Sequence, residues 1–114
     1  LRKDINHYVD EKNSQIIKKE DIFGNRYGVV FAERYISELG NRLCELNPKL
    51  VYIAIIDISE GKISFRTIRD NINLGDEITH AYGGGGHPKA AGALLNPDTV
   101  EELINNIFGS PNKI

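Results

Sequence analysis

The longest apolar run in the chain, Leu50 to Ile58, reads Leu-Val-Tyr-Ile-Ala-Ile-Ile-Asp-Ile without alternation. It predicts a central strand covered on both faces. Glu60-Gly61 marks a turn, and Lys62 to Ile68 predicts the partner strand. There Ile63, Phe65 and Thr67 share one face, and Ser64 and Arg66 share the other. Upstream, Gln15 to Ala32 reads as two strands around a Gly24-Asn25 hairpin turn. Glu33 to Leu46 predicts a helix, because Ile36, Leu39, Leu43 and Leu46 recur at spacings of three and four, and Pro48 stops it. Downstream, Asn73 caps a short helix over Leu74 to Tyr82, with Asp76 near its positive end and Gly83 closing it. Ala91 to Leu95 predicts another strand. Asn96-Pro97 then opens a last helix whose apolar face is Val100, Leu103, Ile104 and Ile107, closed by Gly109. The pattern predicts one α/β domain, a mixed sheet of about five strands with helices packed on it, over residues 15–109. Residues 1–14 carry only the weak stripe Ile5, Tyr8 and Val9 and read as a linker or helix tail. Residues 110–114 read as a tail.

A length of 114 residues and a 40% apolar content suit one domain with one modest core. The formal net charge of −2 excludes a generally basic nucleic-acid binder, so any recognition of phosphate is local. The single cysteine, Cys44, excludes an internal disulfide and fits a reducing compartment, which points to the cytoplasm. No apolar run approaches the roughly 20 residues of a membrane span. The chain contains no methionine, even at position 1, so we expect a piece of a longer polypeptide.

The densest chemistry lies in Gly83-Gly84-Gly85-Gly86-His87-Pro88-Lys89-Ala90-Ala91-Gly92. Glycine lets backbone approach a ligand closely, and successive N–H groups form anion-binding concavities. The run therefore suggests main-chain amides cupping an anionic oxygen, with His87 and Lys89 beside them. No Walker or dinucleotide-binding glycine pattern is matched. Arg66, in mid-strand, is the other candidate, as a guanidinium that can fork onto phosphate. Arg69 and His80 are weaker ones. The equally simple alternatives are a flexible glycine linker, a structural histidine, and solvated Lys89 and Arg66. The three histidines and the aspartates have no ligand-like spacing. Cys44 falls near Leu43 and Leu46 and reads as packed.

The segment Ile63-Ser64-Phe65-Arg66-Thr67, followed by the glycine–histidine run some twenty residues later, resembles the C-terminal DHH-associated domain of the DHH phosphoesterase superfamily. That superfamily includes RecJ-like exonucleases, nano-RNA oligoribonucleases and exopolyphosphatase-related proteins. The resemblance implies that Arg66, Gly83 to Gly86 and His87 hold the phosphates or terminal nucleotide of a short oligonucleotide or related nucleotide, and Lys89 beside them is expected to join the substrate-binding set. It also implies an upstream domain with an Asp-His-His motif and manganese. This chain has no such motif, so we expect it to carry no cofactor and to be inactive in hydrolysis alone. A similar domain ends alanyl-tRNA synthetases, which leaves a non-catalytic nucleic-acid-binding module as a second reading. A structural domain with a disordered glycine loop is the third.

Overall fold

The computed structural model describes residues 2–109. The tail expected at 110–114 lies outside the described residues. Helix α1 (Arg2–Ser14) leads into a hairpin of β1 (Ile17–Glu20) and β2 (Arg26–Phe31). Helix α2 (Ile36–Leu46) then connects to β3 (Tyr52–Asp57) and β4 (Lys62–Arg66). A π-helical turn (Leu74–Ile78) runs directly into a 3-10 turn (Thr79–Tyr82). The chain ends in the two-residue β5 (Gly85–Gly86), β6 (Ala90–Leu94) and α3 (Pro97–Phe108).

These strands form one mixed sheet in the order β1-β2-β3-β4-β6-β5. Only β2 and β3 run parallel. A parallel neighbour cannot be reached by a tight turn, so α2 supplies the crossover. The alternation along β3 splits the core into two layers. Ile53 and Ile55 face α1 and α2, where Val9, Leu39 and Leu43 are buried with them. Tyr52 and Ala54 face the other way, where Leu74 and Ile78 cover Phe65, Ala91 and Ala93. The weak stripe Ile5, Tyr8 and Val9 is buried in the first layer.

The hairpin turn is built on Asp21, whose carboxylate accepts the amides of Phe23 and Asn25, each at 2.8 Å. Gly24 stands at φ +85° there, the left-handed region that favours glycine.

Four elements depart from the pattern-based expectation. Helix α2 starts at Ile36 rather than at Glu33. Tyr8 holds the preceding segment out of the helix: its hydroxyl accepts the Glu33 amide at 3.2 Å, and Arg34 lies over its ring. Tyr35 takes a left-handed φ of 53° and its carbonyl accepts the Leu39 amide. The short helix is a π turn followed by a 3-10 turn, although Asn73 does accept the Asp76 amide as a cap. A sixth strand, β5, comes from the middle of the glycine run. Finally, α3 forms where Asn96 and Pro97 start it, but none of its residues is buried, and Leu103, Ile104 and Ile107 stand exposed. Asn96 and Pro97 start the helix locally, with the Asn96 side chain accepting the Asp98 amide, so α3 forms without burying its apolar face.

Candidate functional site

Arg66 closes β4 on the same sheet face as Ile53, its cross-strand partner. Opposed residues share a face, so Ala90, its partner on β6, joins that row. The next row is Ile55, Ser64, Gly92 and Gly85. Helix α2 covers the isoleucines and stops short of β6 and β5. The result is a low floor of Ser64, Ala90, Gly92 and Gly85 beside the wall of α2, with Arg66 at the corner between them.

The Arg66 side chain is half-buried against α2. It donates to the Phe65 carbonyl at 2.9 Å and, at a long 3.4 Å, to the Ser37 hydroxyl. Burial pulls its pKa below the ordinary guanidinium value. Arginine has five N–H donors, and no carboxylate among the described residues pairs with this one. A groove of about 620 Å³ opens beside it, lined also by Ser37, Asn41, Glu45, Thr67 and Lys89. Lys89 lies in this groove in an exposed ion pair with Asp70, 2.6 Å long.

The glycine run does not present a row of open amides. The Gly83 amide donates to the His80 carbonyl at 3.2 Å, Gly84 to Thr79 at 2.9 Å, and His87 to Ala90 at 3.0 Å. Gly85 and Gly86 are paired with β6. The amides of Gly83, Gly84 and His87 are therefore committed to the fold, while Gly85 and Gly86 lie in the edge strand of the sheet. Gly83 ends the 3-10 turn and Gly85 and Gly86 form β5, so the run is built into the edge of the sheet.

Two of these four glycines, Gly84 and Gly86, serve close packing. Gly83 ends the 3-10 turn at φ +73°. A Cβ on Gly84 would lie 2.1 Å from the Gly92 carbonyl oxygen, and one on Gly86 2.7 Å from Ala91 Cα. Gly85 differs, since a Cβ there meets nothing within 4 Å. Its glycine is not required by φ or by packing; it keeps the floor low.

His87 extends the β5–β6 ladder by one position, opposite Ala90, so it stands two strands from Arg66, about 10 Å away. The structure thus gathers Arg66, Lys89, His87 and Gly85 at one end of one face. Gly83 and Gly84 line an adjoining cleft with Lys62 and Leu94, which shares Ser64 and Gly92 with the floor. Arg69 turns to the Pro48 carbonyl and His80 is exposed. Cys44 is buried, with its sulfur 3.4 Å from the Arg66 carbonyl oxygen.

Three groove residues escaped the sequence reading: Ser37, Asn41 and Glu45. Their signal is a polar stripe at four-residue spacing along α2, beside the apolar stripe that defined the helix. Among the described residues, no three His, Cys, Asp or Glu side chains are placed to hold a metal ion. Nor is any described helix long and apolar enough to cross a membrane.

Comparison with known proteins places this architecture. Residues 29–109 match the model of the DHHA1 domain. Oligoribonuclease NrnB of Bacillus subtilis (strain 168) is 39% identical over 104 residues, which are 91% of this chain and 26% of that protein. The chain thus spans about a quarter of the length of that relative. A crystal structure of an uncharacterized protein from Helicobacter pylori G27 shares the fold, with a TM-score of 0.61 and 20% identity over 90% of this chain and 30% of its own. The pGpG-specific phosphodiesterase PggH of Vibrio cholerae aligns with a TM-score of 0.46 and 17% identity, over 89% of this chain and 36% of its own. With the family model covering most of its length, the chain belongs to the DHHA1 family, the domain associated with DHH phosphoesterases.

Proposed function

We propose that this chain is the substrate-gripping part of a DHH-type phosphoesterase that acts on short oligonucleotides or related nucleotides. One observation carries the reading. Arg66 is partly desolvated, has no carboxylate partner among the described residues, and borders an open groove that Lys89 also lines. A desolvated guanidinium with free donors suits a bidentate contact to phosphate. The floor of Gly85, Gly92, Ser64 and Ala90 leaves room for a nucleotide to lie close to the sheet. The similarity to an oligoribonuclease favours the same substrate class.

In this reading the glycines act by the space they leave rather than through their amides. Gly85 keeps the floor clear, while Gly83, Gly84 and Gly86 hold β5 against β6 so that His87 reaches the site. His87 and Lys89 add a hydrogen-bonding ring and a positive charge beside the phosphate. Among the described residues no three His, Cys, Asp or Glu side chains form a metal site, so no bond-breaking step is assigned to them. Hydrolysis would fall to manganese held by an upstream Asp-His-His domain, against which this chain orients the phosphate.

The test is calorimetric titration of the chain with a 5′-phosphorylated dinucleotide, alone and as Arg66→Ala and Arg66→Lys variants. Loss of a charge-assisted contact predicts at least about tenfold weaker binding for Arg66→Ala. Arg66→Lys restores only part of it, since an ammonium cannot fork. Equal affinity for all three proteins refutes the assignment.

A further inference from the structure

The rim of the sheet that begins at Arg66 continues, strand by strand, toward the opposite edge. Lys89 donates no main-chain bond there, but its carbonyl accepts the Thr67 amide at 3.2 Å. The Thr67 hydroxyl donates to the Val51 carbonyl at 2.7 Å, and the Val51 amide donates to the Arg26 carbonyl at 2.7 Å. Arg26 pairs with Glu20 of β1. The ends of β6, β4, β3, β2 and β1 therefore stand side by side, about 19 Å from first to last.

This rim carries more cations than acids: Glu45 and Asp70, which pairs with Lys89, lie at the Arg66 end. At its far end Lys18, Lys19, Arg26 and Lys49 line a second groove of about 510 Å³, with Glu20 as its one acid. All four cations are exposed, and none is in an ion pair among the described residues. Between the two grooves, Arg69 reaches across to the Pro48 carbonyl at 2.9 Å, next to Lys49. Asp21, the nearest other acid, has its carboxylate turned to Asn25 and Tyr52. In a chain of net charge −2, this is a local concentration of positive charge that no step of folding uses.

We infer that this rim is a second binding surface, a track for the phosphate backbone of a single-stranded oligonucleotide whose terminal nucleotide sits at Arg66. The inference rests on the proposed function and deepens it. A mononucleotide or dinucleotide fills only the Arg66–Lys89 groove. A longer strand reaches the lysine groove and binds more tightly, with an affinity that depends more steeply on salt.

The experiment compares fluorescently labelled oligoribonucleotides, a dinucleotide and an octanucleotide, by anisotropy over a salt series. The unmodified chain is set beside the triple variant Lys18→Ala, Lys19→Ala, Lys49→Ala and its Lys→Arg counterpart. The octanucleotide should bind the unmodified chain at least about tenfold more tightly than the dinucleotide at low salt. In the alanine variant that advantage disappears and the salt slope falls by about 2, from about 0.7 per lost phosphate contact. Dinucleotide affinity stays within about twofold, and the arginine variant keeps both length dependence and slope. These three lysines are exposed, and far-UV circular dichroism checks that the variants fold. If the dinucleotide binds but the octanucleotide binds no more tightly, the track is wrong and the Arg66 groove stands. If the alanine variant keeps the full advantage, the track is likewise wrong. If neither ligand binds, both readings fall. Polyglutamate competing as well as the octanucleotide also overturns the track, by showing a surface indifferent to nucleic acid.

Discussion

A Cβ on Gly40 would lie 2.4 Å from Cγ of Arg66 and 2.8 Å from its Cβ. The absent side chain in α2 is thus the space through which Arg66 leaves the sheet. A glycine within a helix normally costs about 0.5–1 kcal/mol against alanine, so here Arg66 is seated at the expense of helix stability. Gly40→Ala should reverse the usual sign. The clash falls on the root of the arginine, not its mobile end, and overpacking of this kind costs about 1–3 kcal/mol. Urea denaturation should show a lower midpoint, and dinucleotide binding should weaken because Arg66 is displaced. A gain in stability with unaltered binding would refute this account of the site.

The glycine run should separate under alanine substitution. Gly84→Ala drives a methyl group against the Gly92 carbonyl oxygen and should destabilise by about 1–3 kcal/mol. Gly85→Ala meets open space and should leave the thermal midpoint unchanged or slightly raised. If the floor receives a nucleotide, Gly85→Ala nevertheless weakens binding. Calorimetry of ligand binding and of unfolding on the same two proteins reads both effects.

Asp21 ties the hairpin turn to the core through the Tyr52 hydroxyl, 2.8 Å away. Burial pushes its carboxyl pKa up, but hydrogen bonds from the Asn25 amide, the Tyr52 hydroxyl, the Asn25 side chain and the Phe23 amide outweigh this and hold it below the ordinary value. A folded-state pKa below the unfolded value of about 3.9 means that the contribution is complete above that pH. It is lost as pH falls through the lower folded-state value. Asp21→Ala leaves the Tyr52 hydroxyl without its partner in a residue with no exposed surface, a cost of about 1–3 kcal/mol. Tyr52→Phe should cost less, because Asp21 keeps its other donors. Stability measured by denaturant between neutral and acid pH should show a shallower acid limb for Asp21→Ala than for the unmodified chain.

Cys44 should behave as a sealed thiol. Burial pushes its pKa up to about 11, so it stays protonated and unreactive near neutral pH. Labelling by iodoacetamide should then track the population of unfolded molecules. Rapid labelling of the native chain would show that the layer between α2 and β4 opens far more readily than its packing implies.

Much of this molecule could be read before any coordinates. The unbroken apolar run predicted β3, the alternation through Ile63, Phe65 and Thr67 assigned the faces of β4, and Gly24, Asn73 and Asn96-Pro97 marked turn and caps correctly. These features act through neighbours in sequence, so a local pattern is enough to specify them. The family resemblance likewise rested on short contiguous strings, Ser64-Phe65-Arg66 and the glycine–histidine run.

The use to which the glycines are put could not be read that way. Whether a main-chain amide is free depends on which carbonyl lies opposite it, and for Gly83, Gly84 and His87 those carbonyls belong to His80, Thr79 and Ala90, in that order. The same holds for the start of α2, displaced by a tyrosine 25 residues earlier in the chain, and for α3, whose apolar face finds no cover within the fold. Sequence alone determined most of the helices and strands and which side chains carry charge. Only the tertiary structure decided that Arg66, Lys89, His87 and Gly85 share one corner while Gly83 and Gly84 do not. Strand pairing sets distances between residues remote in the chain, and no local preference encodes that register.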